Sequence, residues 1–227
     1  MFNVLNEAKK IREVIKQTTG EDLRIAVHHD NPAKHEGKIV LVFMNPSTGD
    51  DKDIETAEET KKGFKNWVNK KNKFYRTFFE TLKEYLPGDY HFKTNNLEGE
   101  GFKTYVQDHL FEDFYVTDYV KLRTDTKTMR ETLKLPGLKE EWDKLLQKEI
   151  ELVKPNIVIS FGANAWNSIR PLIDPYPSKA PVTQIHGDVF KLNNNIDYIP
   201  LAFVPGTSSY IKDSYFKYFI KGLIAMK

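Results

Sequence analysis

The stretch LVFMNPSTGD at 41–50 ends an apolar run on Asn45 and Pro46, then turns at once to small residues, Ser47 and Gly49 among them. A carboxamide does not titrate near neutrality, so Asn45 cannot be a general base. Its side-chain oxygen can accept a hydrogen bond and so orient a water. Pro46 fixes its own φ and holds residue 45 extended, which gives the carboxamide a rigid setting. A plain turn would use the same Asn-Pro, and Ser and Gly are turn residues too; both readings are open. Other apolar runs close in the same way: on Asp118, on Gly162 with Asn164, and on Val204-Pro205-Gly206-Thr207-Ser208. An ionised Asp118 only accepts hydrogen bonds. Protonated, which takes burial enough to raise its pKa, it would donate as well. An ion pair with Lys121 or Arg123 is the equal alternative. HHD at 28–30, with His35 nearby, invites a metal ion. Adjacent strand residues point to opposite faces, however, so His28 and His29 cannot easily share one if the strand continues there. No metal site and no cofactor are expected.

The elements that would position these residues follow from periodicity. Residues 1–20 form an amphipathic N-terminal helix, with Val4, Leu5, Ile11 and Ile15 near one face and Gly20 at its end. Apolar runs at 23–27, 38–44, 113–120, 156–161 and 198–204 are mostly continuous, as strands covered on both faces should be. Helical patterns occupy about 53–70, 72–86, 102–110, 137–153, 163–170 and 209–224. Strands alternating with helices predict a three-layer α/β/α sandwich with a mainly parallel central sheet, as a single domain over 1–227. A hairpin turning at Gly187-Asp188 should precede the last central strand. In such sheets ligands bind beyond the carboxyl ends of the strands, where the polar residues above lie.

Composition narrows the function classes. The chain is 40% apolar and 29% charged, with a net charge of +2, so any basic face has to be local. The segment KKGFKNWVNKKNKFYR at 61–76 supplies one candidate, interleaving Lys61, Lys62, Lys70 and Lys71 with Phe64, Trp67, Phe74 and Tyr75. Cations among aromatics suit a surface that tracks phosphates and stacks bases. Two amphipathic helices, with lysines in water and rings in the core, explain the pattern equally. Zero cysteines exclude disulfides, thiolate metal sites and cysteine-held iron–sulfur clusters. No apolar stretch reaches the roughly 20 residues a membrane helix needs, and the charged N-terminus is unlike a signal peptide. A cytoplasmic monomer is the expectation. Walker A, GxGxxG, G-x-S-x-G and HExxH signatures are absent from the sequence.

Taken in order, four segments resemble the uracil-DNA glycosylase superfamily. FMNPS is similar to its first motif, a strand ending in Asn-Pro or Asp-Pro. FYVTDYVKLR resembles the strand written TNVVKCR in the iron–sulfur branch. ELVKPNIVISFGANAW has the helix, Lys-Pro, strand, Gly and Ala in the family's order. IHGDVF with YIPLAFVPGTSS lies where the family has a His/Arg-Gly turn, a strand and a His-Pro-Ser loop. NKFYRTFFETL is also similar to the NRFW helix of the mismatch-specific branch.

The resemblance implies a monofunctional hydrolase that removes a damaged or deaminated base from DNA, flipped out of its stack. Asn45 would place the water. Pro46, Ser47, Asp118, Gly162 and Asn164 would surround the base, and Gly206, Thr207 and Ser208 would press on the DNA. The small Ser47, where the uracil-strict branch has tyrosine, implies a roomier pocket. Three departures bear on activity. Leu122 stands in place of a cluster cysteine, Asp118 replaces a base-reading asparagine, and Val204 replaces the loop histidine that helps the leaving base. An ionised Asp118 would suit an exocyclic amino group better than uracil. His186 in QIHGD is then the histidine best placed to stabilise charge, although its turn suits a surface histidine too. A non-catalytic nucleic-acid-binding module and a small nucleoside hydrolase are the competing classes.

Overall fold

The computed structural model describes residues 2–46, 54–86, 90, 92–93, 96–173, 180–192, 195–202 and 213–226. The first helix, α1 (Val4–Thr19), is capped by the Asn3 side chain, which accepts from the Asn6 amide at 2.9 Å. It stops at Gly20, whose φ of 76° is the left-handed turn that glycine tolerates. Its Val4, Ala8, Ile11 and Ile15 are buried.

Four runs form the parallel part of the main sheet: β2 (Ile39–Phe43), β3 (Phe114–Asp118), β5 (Ile157–Phe161) and β7 (Ile196–Leu201). Every residue of β2, β3 and β5 is buried, as expected for strands with helices on both faces. The order is β3-β2-β5-β7, with β6 (Phe190–Leu192) antiparallel on the β7 edge. Side chains alternate between two cores. Val40, Val42, Tyr115 and Val158 join the core built on α1, α7 (Leu138–Val153) and α8 (Ala163–Ile169). Ile39, Leu41, Phe43, Phe114, Val116, Ile157, Ile159 and Phe161 join the other core. That second core is built with α2 (Ala57–Lys70), α3 (Asn72–Tyr85), α4 (Gly99–Asp108) and α9 (Asp213–Ala225). The three layers are therefore as the sequence predicts. Among the described residues no helix is long and apolar enough to cross a membrane.

Two expectations are corrected. The run at 23–27 is not a strand of the main sheet. Only β1 (Arg24–Ile25) forms, pairing antiparallel with β4 (Leu122–Arg123) in a separate two-stranded sheet. Length is not the reason, since β2, β3 and β5 are also five residues each; its backbone bonds are taken by the segment after β3, and the Ala26 amide donates to the Lys121 carbonyl at 3.0 Å. The chain then leaves extended pairing, and His28 and His29 both enter the interior. The hairpin likewise does not turn at Gly187-Asp188. β6 and β7 pair with Leu192 opposite Ile196, so the chain reverses between those residues.

Gly187 has a different duty. At φ 80°, a Cβ there would lie 2.6 Å from the Tyr218 carbonyl oxygen, and a Cβ on Gly222 would lie 2.1 Å from the Gly187 carbonyl oxygen. Backbone meets backbone where α9 crosses this turn. Gly222→Ala should gain at most about 1 kcal/mol of helix propensity. Forcing the crossing apart should cost about 1–3 kcal/mol or more. The clash wins, and thermal unfolding should shift down by several degrees; an unchanged or higher midpoint would contradict so close a crossing.

One buried polar network sits between α7 and β3. Glu149 accepts from the Tyr115 hydroxyl at 2.7 Å and the Thr117 hydroxyl at 2.6 Å, and pairs with Lys121 Nζ at 2.7 Å. Lys121 Nζ also donates to Thr117 Oγ1 at 2.6 Å and to the Asp118 carbonyl. A buried ion pair is weak evidence for stability. This one fixes the carboxyl end of β3.

Candidate active site

Strand alternation explains where the site forms. Phe114, Val116 and Asp118 point to the α2 side of the sheet, while Tyr115 and Thr117 point to α7. Phe43 is the parallel-register partner of Asp118, and Phe43 stacks on Phe161 with centroids 4.5 Å apart and planes 4° apart. The ends of β2, β3 and β5 thus present their last residues to one side, beneath α2. A cavity of about 540 Å³ opens there, lined by His28, Phe43, Met44, Asn45, Pro46, Asp118, Gly162, Ala163 and Asn164. Thr60, Gly63, Phe64 and Trp67 of α2 form its other wall, with Arg123 and Arg130 also lining it. Their spacing on α2, residues 60, 63, 64 and 67, is one helical face.

Asn45 is held by its nitrogen. Nδ2 donates to the Thr124 carbonyl at 2.9 Å and to the Pro46 carbonyl at 3.1 Å. Two acceptors at that end assign the amide orientation and leave Oδ1 as the acceptor for a ligand or water. Asn164 Nδ2 rests against Met44 Sδ at 3.1 Å. Gly162 links β5 to α8 at φ 89°, with its amide on the Leu201 carbonyl at 2.8 Å.

Asp118 is 3% exposed. Burial, above all, pushes its pKa up to about 7, with Lys121 and Arg123 pulling down and Glu149 pushing up. The condition for a carboxyl that both donates and accepts is therefore met. Its side chain is not ion-paired to Lys121 or Arg123: the first is engaged by Glu149, and the second donates to Glu55 at 2.6 Å. The neighbour of Asp118 is His28, with Nδ1 3.4 Å from Oδ2. Neither atom has a hydrogen-bond partner among the described residues. An unsatisfied buried polar group costs about 1–3 kcal/mol, and two side by side in a cavity call for an explanation. Burial first, then the charges of Lys121, Arg123 and Lys61, lowers the His28 pKa to about 3. The imidazole is neutral at physiological pH. His29 turns away, stacking on Tyr115 at 4.6 Å and meeting His35 at 4.1 Å. Among the described residues no group of three His, Cys, Asp or Glu could hold a metal ion.

His186 stands apart from this cavity. It lines a second hollow, beside Tyr215 and Tyr218, and both its ring nitrogens are spent on backbone. Nε2 donates to the Tyr215 carbonyl at 3.0 Å and Nδ1 accepts from the Ala202 amide at 2.9 Å. That histidine pins the end of β7 to α9 and has no hydrogen left for a substrate.

The lysine-rich segment divides. Phe74 and Tyr75 are core residues, as the amphipathic alternative requires, while Phe64 and Trp67 line the cavity. Lys61 pairs with Glu58 at 2.9 Å and lies 5.7 Å over the Phe111 ring. Lys62, Lys70 and Lys71 are exposed, but Lys62 lies across α2 from the cavity-lining face. Arg130, which the sequence reading passed over, is an exposed cation at the cavity. Ser47, Gly49, Val204, Gly206, Thr207 and Ser208 lie outside the described residues.

The family model of the uracil DNA glycosylase superfamily matches residues 17–215. The chain belongs to that superfamily. No curated protein matches it. Superfamily membership supports a DNA glycosylase-like function at the level of the family, whose proteins act on DNA. The absence of cysteines makes this a superfamily member without cluster thiolates. Its sequence signal for the site was the pair of strand ends at Asn45 and Asp118. In the sequence His28 reads only as a candidate metal ligand, and its place in the cavity has no periodic signal.

Proposed function

We propose that this protein is a monofunctional DNA glycosylase, hydrolysing the N-glycosidic bond of a damaged or deaminated base in DNA as a step of base excision repair. The observation that carries the reading is the meeting of Asn45 and Asp118 on one ring-lined cavity at the strand ends. The reaction adds water across the bond: the water oxygen joins C1′, the C1′–N pair of electrons goes to the base, and the displaced proton ends on the base. Asn45 Oδ1 would hold the water by accepting one of its hydrogens. Asp118 would read the edge of the base. Phe43, Phe64, Trp67 and Phe161 offer apolar ring surface for a planar base. Arg130, Lys70 and Lys71 would meet phosphates, with Gly206, Thr207 and Ser208 of the last loop pressing on the backbone. The whole of 1–227 would act as one domain and as a monomer, in the cytoplasm.

A second reading keeps the fold and loses the chemistry. It is favoured by Val204, which the resemblance to the family sets where its loop histidine would be. Oligonucleotides carrying uracil, hypoxanthine, xanthine or a mismatch, incubated with the protein and then treated with alkali, separate the two. Strand cleavage at the altered base is the expected result. Binding without cleavage would make the protein a nucleic-acid-binding module; base release from the corresponding free nucleosides, incubated in parallel, with none from the oligonucleotides would make it a nucleoside hydrolase.

A further inference from the structure

We propose that His28 is a catalytic residue of this cavity, donating a hydrogen bond to a carbonyl oxygen of the leaving base while Asp118 binds the adjacent ring N–H. The pair would therefore select bases that carry a carbonyl beside an N–H, the feature that deamination creates. This deepens the glycosylase reading and rests on it.

The contrast between two histidines carries the argument. His186 is a structural histidine, with both nitrogens bonded to backbone at 3.0 and 2.9 Å. His28 is as deeply buried as a core residue, at 5% exposure. Yet its Nδ1 has no hydrogen-bond partner among the described residues and its ring lines a cavity. Nδ1 faces Asp118 Oδ2 across 3.4 Å, so Nε2 is the nitrogen left for a ligand. Phe64 edge-on at 5.3 Å and Phe111 stacked at 6.0 Å fix the ring plane. Catalytic hydrogen bonds are often long outside the substrate complex and tighten within it, so 3.4 Å is within reach of a functional contact. A protonated Asp118 would donate to Nδ1, leaving its second oxygen to accept the base N–H and Nε2–H to donate to the base carbonyl.

The charged groups acting on the ring are Lys121 and Arg123, beyond β3, and Lys61 of α2; Asp118 lies against it, and Glu149 acts on Asp118 in turn. The cations and burial together keep the imidazole neutral, with a pKa of about 3. His28 therefore donates a hydrogen bond and keeps its proton, while the departing base takes the proton released by the attacking water. A neutral donor aimed where charge develops is the usual device for stabilising a leaving oxyanion.

The test compares His28→Phe and His28→Gln with the wild type in single-turnover release from uracil- and hypoxanthine-containing DNA, alongside thermal unfolding. Losing one such donor should slow release about 10²–10³-fold in His28→Phe. Its unfolding midpoint should hold or rise, because a buried polar group without a partner has been removed. His28→Gln, which restores a neutral N–H donor, should recover at least about tenfold of that loss. An active wild type with His28→Phe within threefold of it would overturn this inference and leave the glycosylase reading standing. So would equal losses in both variants accompanied by a fall in midpoint, the mark of a packing role. A wild type that releases no base overturns the glycosylase reading and this inference together.

Discussion

Replacing Asn45 with alanine is expected to slow base release about 10²–10³-fold under single-turnover conditions, with DNA affinity changed little. The reason is the division of labour within one side chain. Nδ2 is committed to the Thr124 and Pro46 carbonyls, which fixes Oδ1 as an acceptor at the cavity. Without that acceptor the water loses its orientation relative to C1′. Alanine also strands two carbonyl oxygens, so a modest drop in stability of about 1 kcal/mol should accompany the rate effect. The two readouts separate: thermal unfolding reports the lost backbone anchors, and single-turnover rate reports the lost acceptor. An alanine variant at wild-type rate would remove Asn45 from the chemistry.

The second large effect is a pH dependence centred on Asp118. Its pKa is pushed up to about 7, so near neutrality the carboxyl is shared between a donating and an accept-only form. Release of uracil or hypoxanthine, whose carbonyl and N–H need both a donor and an acceptor, should fall about tenfold per pH unit once pH exceeds 7. Asp118→Asn cannot ionise and should stay flat across that range, overtaking the wild type by pH 8.

Stability should change in the same window. A folded-state pKa raised above the ordinary aspartate value of about 3.9 means that the native state holds a proton the unfolded chain has already lost. Native stability therefore falls as pH rises from about 4 to about 7, by up to about 4 kcal/mol from this one group. The unfolding midpoint of Asp118→Asn should exceed that of the wild type by a margin that grows between pH 5 and pH 8. A margin independent of pH, or a wild-type rate profile flat through 7, would show that Asp118 stays ionised in the folded protein.

The sequence made the sheet legible because its strands are nearly continuous apolar runs. That Phe43, Asp118 and Phe161 turn to one side was not legible in it, because runs apolar on both faces do not show which residues share a face. The site was only half legible. Asn45 and Asp118 announced themselves by interrupting apolar runs, but His28 follows LRIAV and looks like more of the same strand. Only the departure of the chain after Ile25, set by its pairing with β4, brings His28 to the cavity. Nor could residue spacing show that Arg123 pairs with Glu55 across 68 positions, or that Lys121 is buried against Glu149. In the helix around Glu149, the charge pattern reads as solvated surface. The walls of the cavity were hidden for a related reason. Phe64 and Trp67 lie among lysines, so their composition suggested an exposed nucleic-acid surface, while the helical face they share with Thr60 and Gly63 turns them inward. His186 misled in the other direction. A histidine before a glycine turn looks available, and only the backbone groups on both its nitrogens show that it is not.

The most direct test is a crystal structure of the Asn45→Ala protein bound to an oligonucleotide carrying an uncleaved uracil or hypoxanthine. The altered base should lie outside the helical stack and inside the cavity beneath α2, its carbonyl and N–H edge toward His28 and Asp118. A base still paired in the duplex, or one seated instead in the hollow beside His186, would contradict that placement.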